Sequence, residues 1–387
     1  MTIAFFSNFI NHHQVHLADE LYQLTDGRYT FVETEPMPNS FKKSGYPDYT
    51  NRPYVLQAWK CQENYEKALQ IAKNVEVALL GGNVSLPFEI ARYTHDKKML
   101  SFEISERWCK RGVINYLSPR FIKWYYNYKR TFCNCNIYKL CCSAYLPNDM
   151  YNVGAFRDKC YKWAYFTKAE PFNVEEVIKA RKSDKVYLMW CARFIDWKHP
   201  EIPILLANEL KKEGYQFEVD MYGEGKMKDQ IQSMISLMDL NDCVHLCGNA
   251  ANDQILKQMR QHDIFLVTSD QNEGWGAVVN EALANGCVVV GDEMIGSVPY
   301  LVKHGVNGRI YKSGNIKSLK EQVLHYLNHR DELHNNAFAA YKTMIEQWSP
   351  KKAVENLLVL IDSLYKGNRN PIEDGPCSMA YPIKKII

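Results

Sequence analysis

The chain has 387 residues, enough for two domains of ordinary size with a large core. Hydrophobic residues make up 46% and charged residues 24%, a globular composition that excludes disordered, collagen-like and coiled-coil chains. Lys plus Arg is 47 and Asp plus Glu is 44, and the resulting net charge of +3 is too small for a whole-chain polyanion binder, so any anionic partner is met locally. No run reaches the roughly 18 apolar residues of a membrane span. The opening Met1-Thr2-Ile3-Ala4-Phe5-Phe6 lacks the basic and long apolar regions of a signal peptide. The 12 cysteines therefore read as reduced thiols of a cytoplasmic protein.

In chain order, short apolar runs predict strands at 2–6, 29–33, 75–80 and 99–104, with a helix at 15–24. The pattern restarts with strands at 185–191, 217–222, 244–246, 263–268 and 287–290, a helix at 200–212 and a last helix at 350–365. Short strands alternating with longer helical stretches predict an α/β chain of two Rossmann-like doubly wound domains. The expected limits are a first domain at 1–166, a linker at 167–183 and a second domain at 184–348. Residues 349–387 form a C-terminal helix and an irregular tail, expected to pack back on the first domain.

The stretch Ser269-Asp270-Gln271-Asn272-Glu273-Gly274-Trp275-Gly276-Ala277-Val278-Val279-Asn280-Glu281 carries the most chemistry. A strand ends, a glycine-bearing loop follows and a helix starts near Gly276, where free backbone N–H groups favour an anion. Glu273 and Glu281 stand eight residues apart. A largely helical interval would separate them by up to ~12 Å, on the order of the distance from the ribose of a nucleotide sugar to its hexose. By pattern alone, Glu273 as a helix cap and Glu281 as a solvated helix residue is equally open.

Glu273-x7-Glu281 in this strand–loop–helix frame, with Gly286-Cys287-Val288-Val289-Val290 and Gly305-Val306-Asn307-Gly308 after it, resembles the signature of family-4 glycosyltransferases of the bacterial surface-polysaccharide type. The resemblance is strong over about 185–312 and weaker over the first half. It implies the GT-B fold, two Rossmann-like domains facing across a cleft, and transfer with retention of configuration. By the same resemblance, Glu273 touches the transferred sugar and Glu281 the ribose, with Gly274, Trp275 and Gly276 beside the donor. Arg193 and Lys198 would lie on the donor diphosphate, where fixed cations stabilise the charge that develops as the glycosidic bond breaks. Many relatives have glycine where this chain has Ala192. Gly223 lies in the family's glycine turn after the second strand, and Gly248 and Asn249 lie where the nucleotide base rests.

In the first domain, the loop after the first strand offers Asn8, Asn11, His12, His13 and Gln14 where many relatives have two glycines. These side chains either form a polar helix start or contact donor or acceptor. His12 and His16 would share a helix face, but no acidic or cysteine ligand pairs with them in spacing, so no metal is expected. The stretch after the fourth strand has no histidine, leaving Glu103, Ser105 and Glu106 as candidates.

Between Arg107 and Asn148 there is no acidic residue. The basic residues Arg107, Lys110, Arg111, Arg120, Lys123, Lys129, Arg130 and Lys139 alternate with aromatics there. A helix from Pro119 puts Phe121, Trp124, Tyr125, Tyr128 and Phe132 on one face and Arg120, Lys123, Asn127 and Arg130 on another. This is either a helix in an anionic membrane interface or a domain helix burying its aromatic face. The flanking motifs argue against nucleic acid. Cys133, Cys135, Cys141 and Cys142 lack zinc-ribbon spacing and read as core thiols.

The expected protein is a metal-independent glycosyltransferase. It takes a UDP- or GDP-linked nucleotide-sugar donor and a glycan or lipid-linked acceptor, needs no cofactor, and is cytoplasmic or peripheral on the inner face of the membrane. The alternatives are a nucleotide-sugar epimerase or phosphorylase on the same fold, and a catalytically inactive binding protein.

Overall fold

Runs such as Ile3–Ser7 (IAFFS) and Val186–Cys191 (VYLMWC) are apolar along most of their length, as strands covered by helices on both faces must be. A computed structural model of the chain describes residues 1–39, 47–81, 85–110, 112–181 and 184–383. These residues form two compact units, the first of Met1–Lys168 with Trp348–Ile383 and the second from Ala169 to Gln347.

The first unit is built on seven parallel strands: β1 (Ile3–Ser7), β2 (Tyr29–Glu33), β3 (Val55–Gln57), β4 (Val77–Gly81), β5 (Leu100–Ser105), β6 (Ile137–Cys141) and β7 (Cys160–Lys162). Their order is β3-β2-β1-β4-β5-β6-β7, so the winding reverses between β1 and β4. The second unit has β8 (Val186–Cys191), β9 (Phe217–Tyr222), β10 (Val244–Gly248), β11 (Ile264–Val267), β12 (Val288–Asp292) and β13 (Gly308–Tyr311), in the order β10-β9-β8-β11-β12-β13. Its switch point lies between β8 and β11. Both units are Rossmann-like, as the alternation of short strands and helices requires.

Strand edges moved where a neighbouring element claimed a residue. Val75 ends the Gln62–Asn74 helix, its N–H donating to the Ile71 carbonyl at 2.9 Å, so β4 starts at Val77. Within the expected linker, Val174–Ala180 is a helix whose Val174 and Ile178 enter the second unit's core. Positions 182, 183 and 384–387 lie outside the described residues. The Pro350–Tyr365 helix buries Val354, Leu357, Leu360 and Ile361 and packs on the Val15–Leu24 helix of the first unit. The tail beyond it bridges Met379 to Tyr161.

The Pro119–Arg130 helix starts on Ser118, whose Oγ accepts from the Phe121 N–H at 3.3 Å. Phe121, Trp124 and Tyr128 are buried against the unit's own core, as is Phe132 beyond the helix end. Trp124 meets Trp108 edge-on at 4.3 Å, and Tyr128 lies 4.9 Å from Phe156 and accepts its N–H at 2.9 Å. These rings are therefore not available to anchor a membrane surface, which corrects that part of the expectation. Tyr125 is half-buried, and Arg111 lies outside the described residues. Cys135, Cys141 and Cys142 are buried and Cys133 is half-buried. No described helix is long and apolar enough to cross a membrane.

Candidate functional site

In an open doubly wound sheet the loops at the carboxyl ends of the strands, beside the switch point, are where a ligand is held. In the second unit those are the loops after β8 and β11. The first carries Arg193 and Lys198, and the second carries Glu273, Gly274 and Gly276.

Small buried groups join the two loops. The Thr268 hydroxyl accepts from the Trp190 indole N–H at 2.9 Å and donates to the Lys198 carbonyl at 2.8 Å. The Asp270 N–H donates to the Trp197 carbonyl at 3.0 Å. His199, in left-handed backbone at φ 52°, puts Nδ1 2.8 Å from Glu201 and Nε2 3.6 Å from Asp270. The Glu201 hydrogen bond, opposed by partial burial, moves its pKa up. The Lys198 ammonium then meets the Glu273 carboxylate, both side chains 14% exposed, and lies 4.4 Å from the Trp197 ring centre. Glu273 therefore pairs with a cation and does not cap the helix. Arg193 is exposed, with its guanidinium 5.9 Å from the same ring.

Glycines set the geometry of the Arg193 loop. Gly223 has φ 133°, and a Cβ there would lie 1.9 Å from the Ala192 carbonyl oxygen. At Gly225 a Cβ would lie 2.4 Å from the Phe194 carbonyl oxygen. The bare backbone lets the Phe194 N–H reach the Glu224 carbonyl at 2.9 Å, and the Gly223 N–H reaches the Gly248 carbonyl at 2.8 Å. The turns after β8, β9 and β10 are thus hydrogen-bonded in series, with Asn249 exposed at their edge.

Gly276, at φ 86°, leads into the Ala277–Ala284 helix. Only the last part of the Glu273–Glu281 interval is helical, so the two carboxylates are not set by an eight-residue helical rise as expected. Glu281 is half-buried beside Cys191. Burial pushes its carboxyl up to about 7, against a hydrogen bond from Asn252. Burial and the Glu281 charge push the Cys191 thiol up to about 12, so it stays neutral and is no nucleophile. Trp275 departs from the expectation. Its ring is fully buried and its N–H donates to Asn280 at 2.9 Å, so its side chain serves packing and offers a donor no face.

The first unit has its own cluster at the carboxyl edge of its sheet. The Asn11 carbonyl oxygen accepts from the Gln14 and Val15 N–H groups, and its side chain accepts from the His13 N–H at 2.9 Å. Asn11 is therefore a turn former here. His12 precedes the Val15–Leu24 helix, so it does not share a helix face with His16. The His12 and His13 ring centres are 3.8 Å apart, and His13 stacks on Tyr165 at 5.3 Å. The Tyr165 hydroxyl donates to Glu106 at 2.7 Å, and Lys110 lies 3.3 Å from the same carboxylate. Burial, then His12 and His16, lower His13 to about 3, which keeps its ring neutral. Its Nδ1 is buried with no hydrogen-bond partner among the described residues. Glu103 lies elsewhere, paired with the buried Lys139. Among the described residues no three His, Cys, Asp or Glu side chains gather as metal ligands do.

Sequence reasoning missed Thr268, His199, Asp270 and Tyr165. Thr268 closes a predicted strand, but a hydroxyl at a strand end carries no mark of what it bonds.

Residues 173–343 match the family model described as glycosyl transferases group 1, which spans the second unit's sheet and leaves the first unit's outside. The amylovoran biosynthesis glycosyltransferase AmsK of Erwinia amylovora is 29% identical over 160 residues, covering 40% of this chain and 39% of the relative. A poly(ribitol-phosphate) alpha-N-acetylglucosaminyltransferase of Staphylococcus aureus (strain COL) is 26% identical over 172 residues, covering 44% of this chain and 34% of the relative. The chain thus spans well under half the length of the curated relatives it matches. Among solved structures, Anabaena Alr3699/HepE in complex with UDP aligns with a TM-score of 0.67 at 16% identity, covering 94% of this chain and 100% of that one. Similarity of that order shows the fold, which is GT-B.

Proposed function

We propose that the protein transfers a sugar from a UDP- or GDP-linked donor to a glycan or lipid-linked acceptor, with retention of configuration, in surface-polysaccharide or glycoconjugate assembly. The observation that carries this reading is the Lys198–Glu273 contact across the second unit's switch point, with Arg193 on the same loop. A diphosphate there would compete with Glu273 for Lys198 and free the carboxylate for the hydroxyls of the transferred sugar. Arg193 and Lys198 would then stabilise the leaving diphosphate by position and charge, with no divalent metal. Glu281 would take the ribose diol. The match of residues 173–343 to group 1 glycosyl transferases supports this, as do a relative named for polysaccharide biosynthesis and a structural neighbour solved with UDP.

The test incubates full-length protein with radiolabelled UDP-glucose, UDP-N-acetylglucosamine and GDP-mannose, with and without a lipid-linked glycan fraction and with and without chelator. Acceptor-dependent product that survives chelation and is lost in Glu273→Gln supports the reading. An epimerised nucleotide sugar formed without acceptor would replace transfer by epimerisation, and nucleotide binding with no turnover of any donor would leave a binding protein.

The acceptor side is read as membrane-adjacent on different grounds from the aromatic face. Ile114, Leu117, Ile122 and Tyr126 are 55–77% exposed, and Arg120, Lys123, Lys129 and Arg130 are exposed among them. Apolar tips among cations suit an anionic lipid surface, at about 1 kcal/mol per cation. Flotation with anionic but not neutral liposomes, reduced by salt and by Leu117→Ser with Lys129→Gln and Arg130→Gln, is expected. Its absence with active enzyme would remove the membrane from the proposal.

A further inference from the structure

Over β5, between the Leu86–His95 and Pro119–Arg130 helices, the first unit holds a cavity of about 180 Å³. That is about six waters' share of liquid volume, close to what one sugar ring displaces. Its lining is not that of a packing defect. Glu89 and Glu103 reach it from the helix and the strand, both less than a tenth exposed. Burying two carboxyl groups costs stability unless each finds a partner. Glu103 has Lys139, whose ammonium lies 5.0 Å from the Trp108 ring centre and 6.0 Å from that of Trp124. Glu89 has the Ser85 hydroxyl, donating at 2.6 Å. Burial, then the charge of Glu103, push the Glu89 carboxyl well above the usual carboxylate range, so at neutral pH it keeps its proton and is an O–H donor.

Of the remaining lining, Leu86 and Phe132 are apolar and four residues come from the Pro119–Arg130 helix. Arg120, Lys123 and Asn127 share the polar face of that helix, and Trp124 stands at the edge of its aromatic face beside them. Lys139 offsets Glu103, while Arg120 and Lys123 have no acidic partner among the described residues. The cavity thus offers a neutral acid, a carboxylate and an amide for hydroxyl groups, an apolar wall of Leu86, Trp124 and Phe132 for a ring face, and two uncompensated cations. An amine would meet those cations as like charges, whereas a hydroxylated ring bearing an anion satisfies every group.

We infer that this cavity is a binding subsite for a single sugar ring carrying an anionic group, a uronate or a phosphate, with its hydroxyls on Glu89, Glu103 and Asn127, a ring face on Trp124 and the anion on Arg120 and Lys123. Binding there stands without the transfer reaction, and only the cavity's use as an acceptor subsite rests on the function proposed above.

The test is calorimetric titration of the full-length protein, without donor, using glucuronic acid, glucose 6-phosphate, glucose and inorganic phosphate as separate probes. At least one anionic sugar should bind ten times tighter or more than both glucose and phosphate, and which one does so identifies the anion. High salt should remove that preference. Arg120→Gln with Lys123→Gln should remove it too, with unchanged melting, since both side chains are on the surface. Glu89→Leu replaces a buried carboxyl by an apolar side chain and should bind no sugar while melting no lower. If that variant fails to fold, the Arg120 and Lys123 pair still decides. Phosphate binding as tightly as the sugar phosphate, all four probes binding equally or not at all, or an anionic preference that survives the double substitution would each overturn the inference. Since no donor is present, a failed transfer assay leaves this result readable.

Discussion

At Glu281 the folded protein holds a proton more tightly than the unfolded chain does, because burial raises the carboxyl from 4.5 to about 7. Stability therefore falls as pH rises from about 4.5 to about 7 and stays lower above that, by at most on the order of 3 kcal/mol. Glu281→Gln should melt higher than wild type at pH 8 and nearly level with it at pH 4.5. If Glu281 binds the ribose diol as a carboxylate, UDP affinity should rise from pH 6 to pH 8 in wild type. It should be flat and about ten- to a hundredfold weaker at pH 8 in the variant, the weight of a charge-assisted hydrogen bond. A pH-independent wild-type titration would remove Glu281 from the ribose. Lys198 and Glu273 are tied differently, since each leaves the other an unpaired, largely buried charge when removed. Lys198→Met and Glu273→Gln should each lower kcat, and the double variant should lose much less than the product of the two losses. Additive losses would mean that the pair does not act as a unit. The chemical types of these residues were legible from Glu273-x7-Glu281 and from Arg193 and Lys198, but the pairing was not, because 75 residues separate its members and only the sheet order makes their loops neighbours.

Among the elements, the turn at Gly223 carries the most demanding geometry. Gly223→Ala combines φ 133° with a Cβ driven into the Ala192 carbonyl, so the Arg193 loop must move. UDP binding should weaken in this variant, with the second unit destabilised by more than about 1 kcal/mol, read by urea titration with and without UDP. The Pro119–Arg130 helix makes the opposite point about what periodicity conveys. The spacing of Phe121, Trp124 and Tyr128 identifies a helix and its apolar face. It does not say what covers that face, because a lipid surface and a protein core reward the same stripe. Trp108 and Phe156 cover it here. Trp124→Ala should therefore cost about 3–5 kcal/mol, whereas Arg130→Gln on the exposed side should stay within about 0.5 kcal/mol.

For the whole molecule, chain order and compact unit do not coincide, since the first unit draws its last helix from residues beyond the second. The Pro350–Tyr365 helix buries two leucines, an isoleucine and a valine, each contributing about 1.5–3 kcal/mol, which together rival a domain's whole stability. A chain ending at Gln347 should lose the first unit's cooperative melting transition while still binding UDP through the second, and retention of both transitions would show the helix to be dispensable. What the sequence determined by itself is the class of architecture and the local machinery. Alternating apolar strands and helices dictate two doubly wound sheets, and glycines, carboxylates and cations at strand ends mark the loops where the proposed donor site lies, because backbone sterics and local charge act within a few residues. What only the tertiary structure decided is which side chains meet. Thr268 locks Lys198 in place, Tyr165 links His13 to Glu106, Trp275 turns inward, and Glu89 and Glu103 share a cavity. All but the Trp275 bond to Asn280 depend on strand order and helix packing, contacts between residues far apart in the chain that no local pattern encodes.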